Sequence, residues 1–308
     1  MMVVARQLEC EGARGRVCWR GKTVRFAILA GVGFEAIVPE EAKWRRIKTA
    51  YGEVPLASFE HGLETTAVLL RHGCDHYVPS HRVNYQANAA ALCELDVEHV
   101  LATTAVASLN PLVAPGQLVV LSQFLDFTRS GPLTLFDEES HGRHVDMREP
   151  YCLELQRDLV EAGVQLGLDI HGGGTYLCVK GPRFATAAEM ALYQQWGADV
   201  LGMSNAPEAT LAREAGICYA AVAVVTNWAD TRFPASLPFL EARQIIIDEH
   251  KDSVTELFWA TMARHQTGRC CWCAGVGDLS EEAPGCNRRT PSIQSSKRRW
   301  DRTRRTST

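Results

Sequence analysis

Between residues 24 and 265, short β-branched and aliphatic runs alternate with segments of helical periodicity, and this alternation restricts the chain to a single α/β domain. Strands are predicted over 25–29, 66–70, 99–104, 118–123, 174–180, 200–203 and 219–226, and helices over 84–95, 149–162, 186–196, 207–215 and 237–264. In the last helix Leu240, Ile245, Val254, Leu257 and Phe258 supply the apolar stripe that would face the sheet. Residues 1–23 carry no periodicity, and residues 266–308 turn into Gly, Ser, Pro, Cys and Arg; both are expected to be poorly ordered extensions.

Charge and cysteine content narrow the function classes. Eight cations (Arg288, Arg289, Lys297, Arg298, Arg299, Arg302, Arg304, Arg305) against Asp301 give residues 286–308 a net +7, so the remainder carries −11 of the total −4. An acidic body argues against nucleic acid as the partner, and no apolar run reaches the ~18 residues of a membrane span. Eleven cysteines are an odd number for a disulfide framework. Cys10, Cys18, Cys74, Cys93, Cys152, Cys178 and Cys218 lie scattered in core-like segments and read as buried free thiols of a reducing cytoplasm. Cys270, Cys271, Cys273 and Cys286 lack the separated CxxC pairs of a zinc site, so no metal is assigned.

Several stretches carry chemistry. Ala30-Gly31-Val32-Gly33-Phe34-Glu35-Ala36 formally satisfies G-x-G-x-x-A after a strand, but Pro39 closes the helix that a dinucleotide site needs, which favours a tight glycine turn. Arg71-His72-Gly73 ends a strand and offers a planar fork of donors for phosphate or carboxylate. Thr103-Thr104-Ala105 follows a strand with side chains small enough for backbone N–H groups to approach an anion.

The block Gly181-Pro182-Arg183-Phe184-Ala185, then Gly202-Met203-Ser204-Asn205-Ala206-Pro207-Glu208, and the stretch Val225-Thr226-Asn227-Trp228-Ala229-Asp230 resemble the methylthioadenosine phosphorylase branch of the trimeric purine nucleoside phosphorylases. Arg71-His72-Gly73, Val83-Asn84-Tyr85-Gln86-Ala87-Asn88, Thr103-Thr104-Ala105, Pro115-Gly116 and His144 ahead of Glu149-Pro150 extend the match over about residues 25–262. The resemblance implies a three-layer α/β/α domain with a twisted mixed sheet, assembled as a homotrimer. It also implies phosphate-dependent cleavage of a purine nucleoside, with inorganic phosphate as co-substrate and no metal or organic cofactor.

Carried over by position, the resemblance places phosphate against Arg71, His72, Thr104, the Ala105 backbone, Ser204 and the loop at Val32. The nucleoside would meet Met203, Asn227, Ala229 and Ala185, with His144 reaching in from a neighbouring subunit to cover the 5′ end. Asn227 and Arg71 would be the catalytic pair, one donating to the departing base and one gripping phosphate. Family members taking 6-aminopurines carry aspartates at the positions of Asn227 and Ala229; an amide can donate to N7 or a carbonyl O6, so a 6-oxopurine such as that of methylthioinosine, inosine or guanosine is expected. Methylthioadenosine is the alternative if Asp230 takes the role, and Ala185 stands where 6-oxopurine enzymes commonly keep a Glu. Val32 stands in place of a hydroxyl that binds phosphate, and Ala107 in place of a glycine near the base. A weakened or respecialised phosphorylase is therefore expected ahead of a non-catalytic nucleoside-binding homologue.

Overall fold

A computed structural model describes residues 24–62, 64–73, 78–128, 134–135, 144–229, 241, 244–265, 271 and 273. Nine strands run through these residues: β1 (Phe26–Ala30), β2 (Lys43–Thr49), β3 (Gly52–His61), β4 (Glu64–Leu70), β5 (His99–Ser108), β6 (Leu118–Phe127), β7 (Ile170–Val179), β8 (Val200–Gly202) and β9 (Cys218–Trp228). They form one mixed sheet in the order β2-β3-β4-β1-β5-β8-β7-β6-β9, and β9 also pairs with β5, so the second half closes on itself.

Strands β1, β4, β5 and β9 are buried on both faces because their side chains alternate between two helical layers. Leu29, Leu69, Val100, Tyr219 and Val225 meet α1 (Tyr85–Glu94) and α4 (Asn205–Glu214) through Ala87, Ala91, Leu92, Ala206 and Ala209. Their neighbours Ile28, Val68, Leu101, Val222 and Val224 meet α2 (Leu153–Gln165) and α5 (Lys251–Arg264) through Leu155, Leu159, Val254, Leu257 and Phe258. α3 (Ala187–Gln195) packs Met190 and Tyr193 against a third cluster with Leu109, Leu177 and Ala229. This is the expected three-layer α/β/α fold with a mixed sheet.

Helix starts follow local chemistry. The Asn84 side chain accepts from the Ala87 N–H at 3.0 Å to open α1, and Thr186 with Glu189 forms a reciprocal capping box on α3. A π-helical turn over Ile246–His250 precedes α5. Residues 237–240 of the predicted last helix lie outside the described residues.

The β2–β3 hairpin is absent from the sequence-based strands. β2 is mostly exposed and reads Lys43-Trp44-Arg45-Arg46, without apolar alternation, while β3 contains Pro55. Pro55 is tolerated because it pairs only with Arg46 of β2; the ladder from β3 to β4 begins at Ala57. After β1 the chain makes the Gly31–Phe34 turn and a three-residue helix, Glu35–Ile37, before entering β2. No helix there is long enough to seat a pyrophosphate, which agrees with reading the glycine motif as a turn.

Candidate functional site

The glycine turn, the end of β4 and the middle of β5 meet around one buried guanidinium. In the turn, the Phe34 N–H bonds the Gly31 carbonyl at 3.2 Å, and Gly33 takes φ +82°, the value a type II turn demands at its third position. The Gly31 N–H donates to Thr103 Oγ1 at 2.8 Å. A Cβ on Gly31 would come within 2.6 Å of Arg71 Nη1 and 2.7 Å of the Thr103 carbonyl, so a side chain here would force the guanidinium away.

Arg71 is itself almost wholly buried. Its Nε and Nη2 donate to the two carboxylate oxygens of Glu208 at 2.5 and 2.7 Å, and Nη1 donates to the Thr103 carbonyl at 2.8 Å. Burial disfavours the cation, but the Glu208 carboxylate outweighs it and holds the guanidinium charged. Three of five N–H groups are spent on this brace, leaving one each on Nη1 and Nη2 for an anion. Neighbouring His72 is buried and donates through Nδ1 to the Val78 carbonyl at 2.8 Å, which fixes its ring.

Glu208 belongs to a longer buried chain. Tyr219 donates its hydroxyl to Glu208 at 2.7 Å, Asn205 Nδ2 donates to the Tyr219 oxygen at 2.8 Å, and Tyr151 donates to Asn205 Oδ1 at 2.6 Å. Burial pushes the Tyr151 and Tyr219 hydroxyls up, so both stay protonated donors. The Tyr176 oxygen accepts the Ser204 N–H at 3.1 Å, and the Tyr176 and Thr104 hydroxyls share a hydrogen bond, tying β5 to the start of α4. Gly202 leaves the room that this hydroxyl occupies. Ser204 is the N-cap residue of α4 but its side chain caps nothing, so its hydroxyl is available at the positive end of a helix. Arg71, His72, Thr104, Ala105 and Ser204 are thus gathered by β4, β5 and α4 (the Ala105 side chain is half-buried and the others buried), with Val32 on the turn above Gly31.

The second half of the site lies where β5 and β9 lose register. Val106 faces Val225, but Ala107 faces Asn227, so Thr226 is an extra residue bulged out of β9. Consecutive side chains of a regular strand point to opposite faces, yet here Thr226 Oγ1 lies 2.8 Å from Asn227 Oδ1 and 3.1 Å from the Val106 carbonyl. Asn227 Nδ2 donates to the Trp228 carbonyl at 3.2 Å. Ala229 is buried, bonded through its N–H to the Ser108 carbonyl at 2.7 Å, and shares a cluster with Ala107 and Ala185.

Next to these alanines opens a cleft of about 340 Å³ lined by Phe127, Thr128, Val179, Gly181, Ala185 and Tyr193. The Met203 sulfur packs against Gly181 on its wall, close enough that a Cβ on Gly181 would lie 2.6 Å from it. Met203 and Ser204 are consecutive, so the cluster around Arg71 and the cleft abut. His144 is exposed, and Asp230 lies outside the described residues.

Glu208, Tyr176, Tyr219, Tyr151 and Asn205 were not among the residues given a role from sequence. Glu208 alone had a legible signal: it falls on the inner face of a short helix among alanines, where a carboxylate needs a buried cation. Of the cysteines read as buried, Cys93 is exposed at the end of α1.

The profile of the Phosphorylase superfamily matches residues 25–257. The 6-oxopurine nucleoside phosphorylase of Pyrococcus furiosus is 43% identical over 255 residues, covering 81% of this chain and 96% of that protein. The probable S-methyl-5′-thioinosine phosphorylase of Methanothermobacter thermautotrophicus is 38% identical, covering 80% and 87%. A methylthioadenosine phosphorylase from an antarctic soil metagenomic library superposes with a TM-score of 0.74 at 30% identity, covering 83% of this chain and 91% of that one.

Proposed function

The chain belongs to the Phosphorylase superfamily, and on that footing we propose that it cleaves the glycosidic bond of a 6-oxopurine nucleoside with inorganic phosphate. The products are the free base and the sugar 1-phosphate, as in purine salvage. Breaking the C–N bond builds positive charge on the sugar and negative charge on the base, so the site must hold an anion beside the first and a donor beside the second.

In this reading phosphate lies between the two outward N–H groups of Arg71, His72, the Thr104 hydroxyl, the Ala105 N–H and the Ser204 hydroxyl. Glu208 does not touch phosphate; it braces the guanidinium from behind. The nucleoside occupies the cleft beside Met203 and Ala185, with the base against Asn227 and Ala229. Phosphate is the co-substrate, and the chemistry calls for no metal or organic cofactor at this site.

The observation that carries the 6-oxo preference is the amide of Asn227. Turning it over would set Oδ1 against the Trp228 carbonyl, two acceptors face to face, so Oδ1 stays toward Thr226 and Nδ2 keeps a second N–H for the base. Buried Ala229 adds no carboxylate that would repel O6. The relatives named as 6-oxopurine and methylthioinosine phosphorylases support the same choice.

The site is completed in a homotrimer working in the cytoplasm, with exposed His144 delivered to a neighbouring cleft. Exposed Phe184, Leu192 and Trp196 around α3 support a subunit face there. The test is base release from inosine, methylthioinosine, adenosine and methylthioadenosine, each with and without phosphate. Phosphate-dependent release from the 6-oxo pair is expected; release from the amino pair alone would reverse the base assignment, and release without phosphate would refute phosphorolysis.

A further inference from the structure

Four cysteine sulfurs converge far from the nucleoside cleft. The thiols of Cys152, Cys218, Cys271 and Cys273 all lie within 4.8 Å of one another, with Cys218 and Cys271 3.2 Å apart. Cys152 sits at the start of α2, Cys218 opens β9, and Cys271 and Cys273 come from the chain beyond α5. Cys152, Cys218 and Cys273 are buried and Cys271 is half-buried.

We propose that these four cysteines form a closed tetrathiolate site for one Zn²⁺ ion, which fastens the chain beyond α5 to the body of the domain. Zinc–sulfur bonds of about 2.3 Å in a tetrahedron place sulfurs roughly 3.8 Å apart, inside the spread seen here. Disulfides join sulfurs in pairs, whereas here all four meet around a common centre. An all-sulfur tetrahedral donor set selects zinc over magnesium, calcium or manganese, and four protein ligands leave no open position for substrate, which makes the site structural.

Two of the ligands are held in place before any metal arrives. The Cys152 N–H bonds the Tyr219 carbonyl at 2.8 Å, and the Cys218 N–H bonds the Glu98 carbonyl at 2.9 Å. These are regular-structure positions, so Cys271 and Cys273 complete a preformed half-site. Uptake of one Zn²⁺ replaces the four S–H protons with Zn–S bonds: four thiols and Zn²⁺ give the tetrathiolate complex and four protons, with no change of oxidation state.

The site changes the reading of the C-terminal cysteines. Sequence spacing argued against a metal because Cys271 and Cys273 have no second close pair; the fold supplies the other two ligands from α2 and β9. Cys273 is buried in the same cluster as Leu155, Leu257 and Phe258, so its side chain is part of the core.

The test is zinc content of the full chain, produced with zinc and purified under reducing conditions, by elemental analysis. About one zinc per chain is expected. Cys273→Ser and Cys271→Ser are expected to lose at least nine-tenths of it and to melt at lower temperature, while Cys93→Ser retains it. Should the serine variants fail to fold, Co²⁺ exchanged into the wild-type protein decides, through the thiolate-to-cobalt charge-transfer bands and tetrahedral d–d absorption of a four-sulfur site. A chain that takes up no zinc, with all four thiols open to alkylation, would overturn the proposal. So would intact-mass evidence that the four are paired as disulfides in protein kept reduced.

Discussion

The hydroxyl of Thr226 lies 2.8 Å from Oδ1 of Asn227, a contact between consecutive side chains that only the bulge in β9 permits. It turns the amide so that Nδ2 points to the Trp228 carbonyl and keeps a second N–H. In Thr226→Val the amide loses this partner while the strand keeps a β-branched residue. The expected result is an unchanged fold with kcat/KM for inosine lowered about tenfold, the worth of one hydrogen bond near 1.4 kcal/mol. Steady-state rates on inosine and adenosine measure it; an unaltered ratio between them would remove Thr226 from base selection.

Replacing the amide itself tests the same site from the other side. Asn227→Asp supplies a carboxylate that accepts from a 6-amino group and, when protonated, donates to N7. Its preference should move toward adenosine and methylthioadenosine by one to two orders of magnitude, about 1.4–3 kcal/mol. Competition between inosine and adenosine in one reaction reads the ratio directly. An unmoved ratio would place selectivity at Ala185 or at Asp230.

The pairing of Arg71 with Glu208 separates stability from catalysis. Glu208→Ala leaves a buried guanidinium without its counter-charge, and breaking such a pair typically costs about 3–5 kcal/mol. Denaturant unfolding should report that loss. Glu208→Gln keeps the volume and one acceptor, so it should fold more readily yet show a raised KM for phosphate, because the fork is no longer held square. A Gln variant with wild-type phosphate dependence would mean that the brace serves folding alone.

Much of the fold was legible because β1, β4, β5 and β9 are near-continuous apolar runs, the mark of strands buried on both faces. The β2–β3 hairpin was not, since its exposed, charged first strand carries no periodic signal. Arg71, His72, Thr104 and Ser204 were singled out through motifs, and the structure brings them together from the end of β4, the middle of β5 and the start of α4. What supports them was invisible: Tyr176, Tyr219 and Tyr151 look like ordinary core aromatics until the topology sets each hydroxyl against a polar atom on another element. The same limit hid the partners of Cys271, since the contact with Cys218 spans 53 residues of sequence and exists only once α5 packs on α2.

Val32 offers a gain-of-function test. It occupies the first central position of the turn whose glycine lies against the Arg71 guanidinium, so a hydroxyl there would stand at the mouth of the phosphate cluster. Val32→Thr is nearly isosteric and only half-buried, which limits its cost to folding. A hydrogen bond to a charged group is worth about 1.5–3 kcal/mol, so the KM for phosphate should fall by roughly ten- to a hundredfold. The readout is initial rate against phosphate concentration at saturating inosine. No change would mean that phosphate does not reach the turn.

Acid stability depends on a buried pair at the far end of the sheet. Asp158 Oδ2 lies 2.7 Å from His265 Nδ1, and Arg157 approaches the other carboxylate oxygen at 3.3 Å. Burial pushes the Asp158 carboxyl up, but the hydrogen bond and charge of His265, helped by Arg157, more than offset it and hold it below the ordinary carboxylate range. A depressed folded pKa means that the unfolded chain binds the proton first. The stabilisation is therefore fully present above the unfolded value near 3.9 and is lost as pH falls through the folded one. In Asp158→Asn this contribution is gone at every pH, with an expected loss of about 1–3 kcal/mol at pH 7. The gap between wild type and variant should then narrow as pH drops below about 4. Urea unfolding from pH 7 to pH 3 measures it, and a gap that stays constant or widens toward low pH would show that the carboxylate of Asp158 is not what this pair contributes.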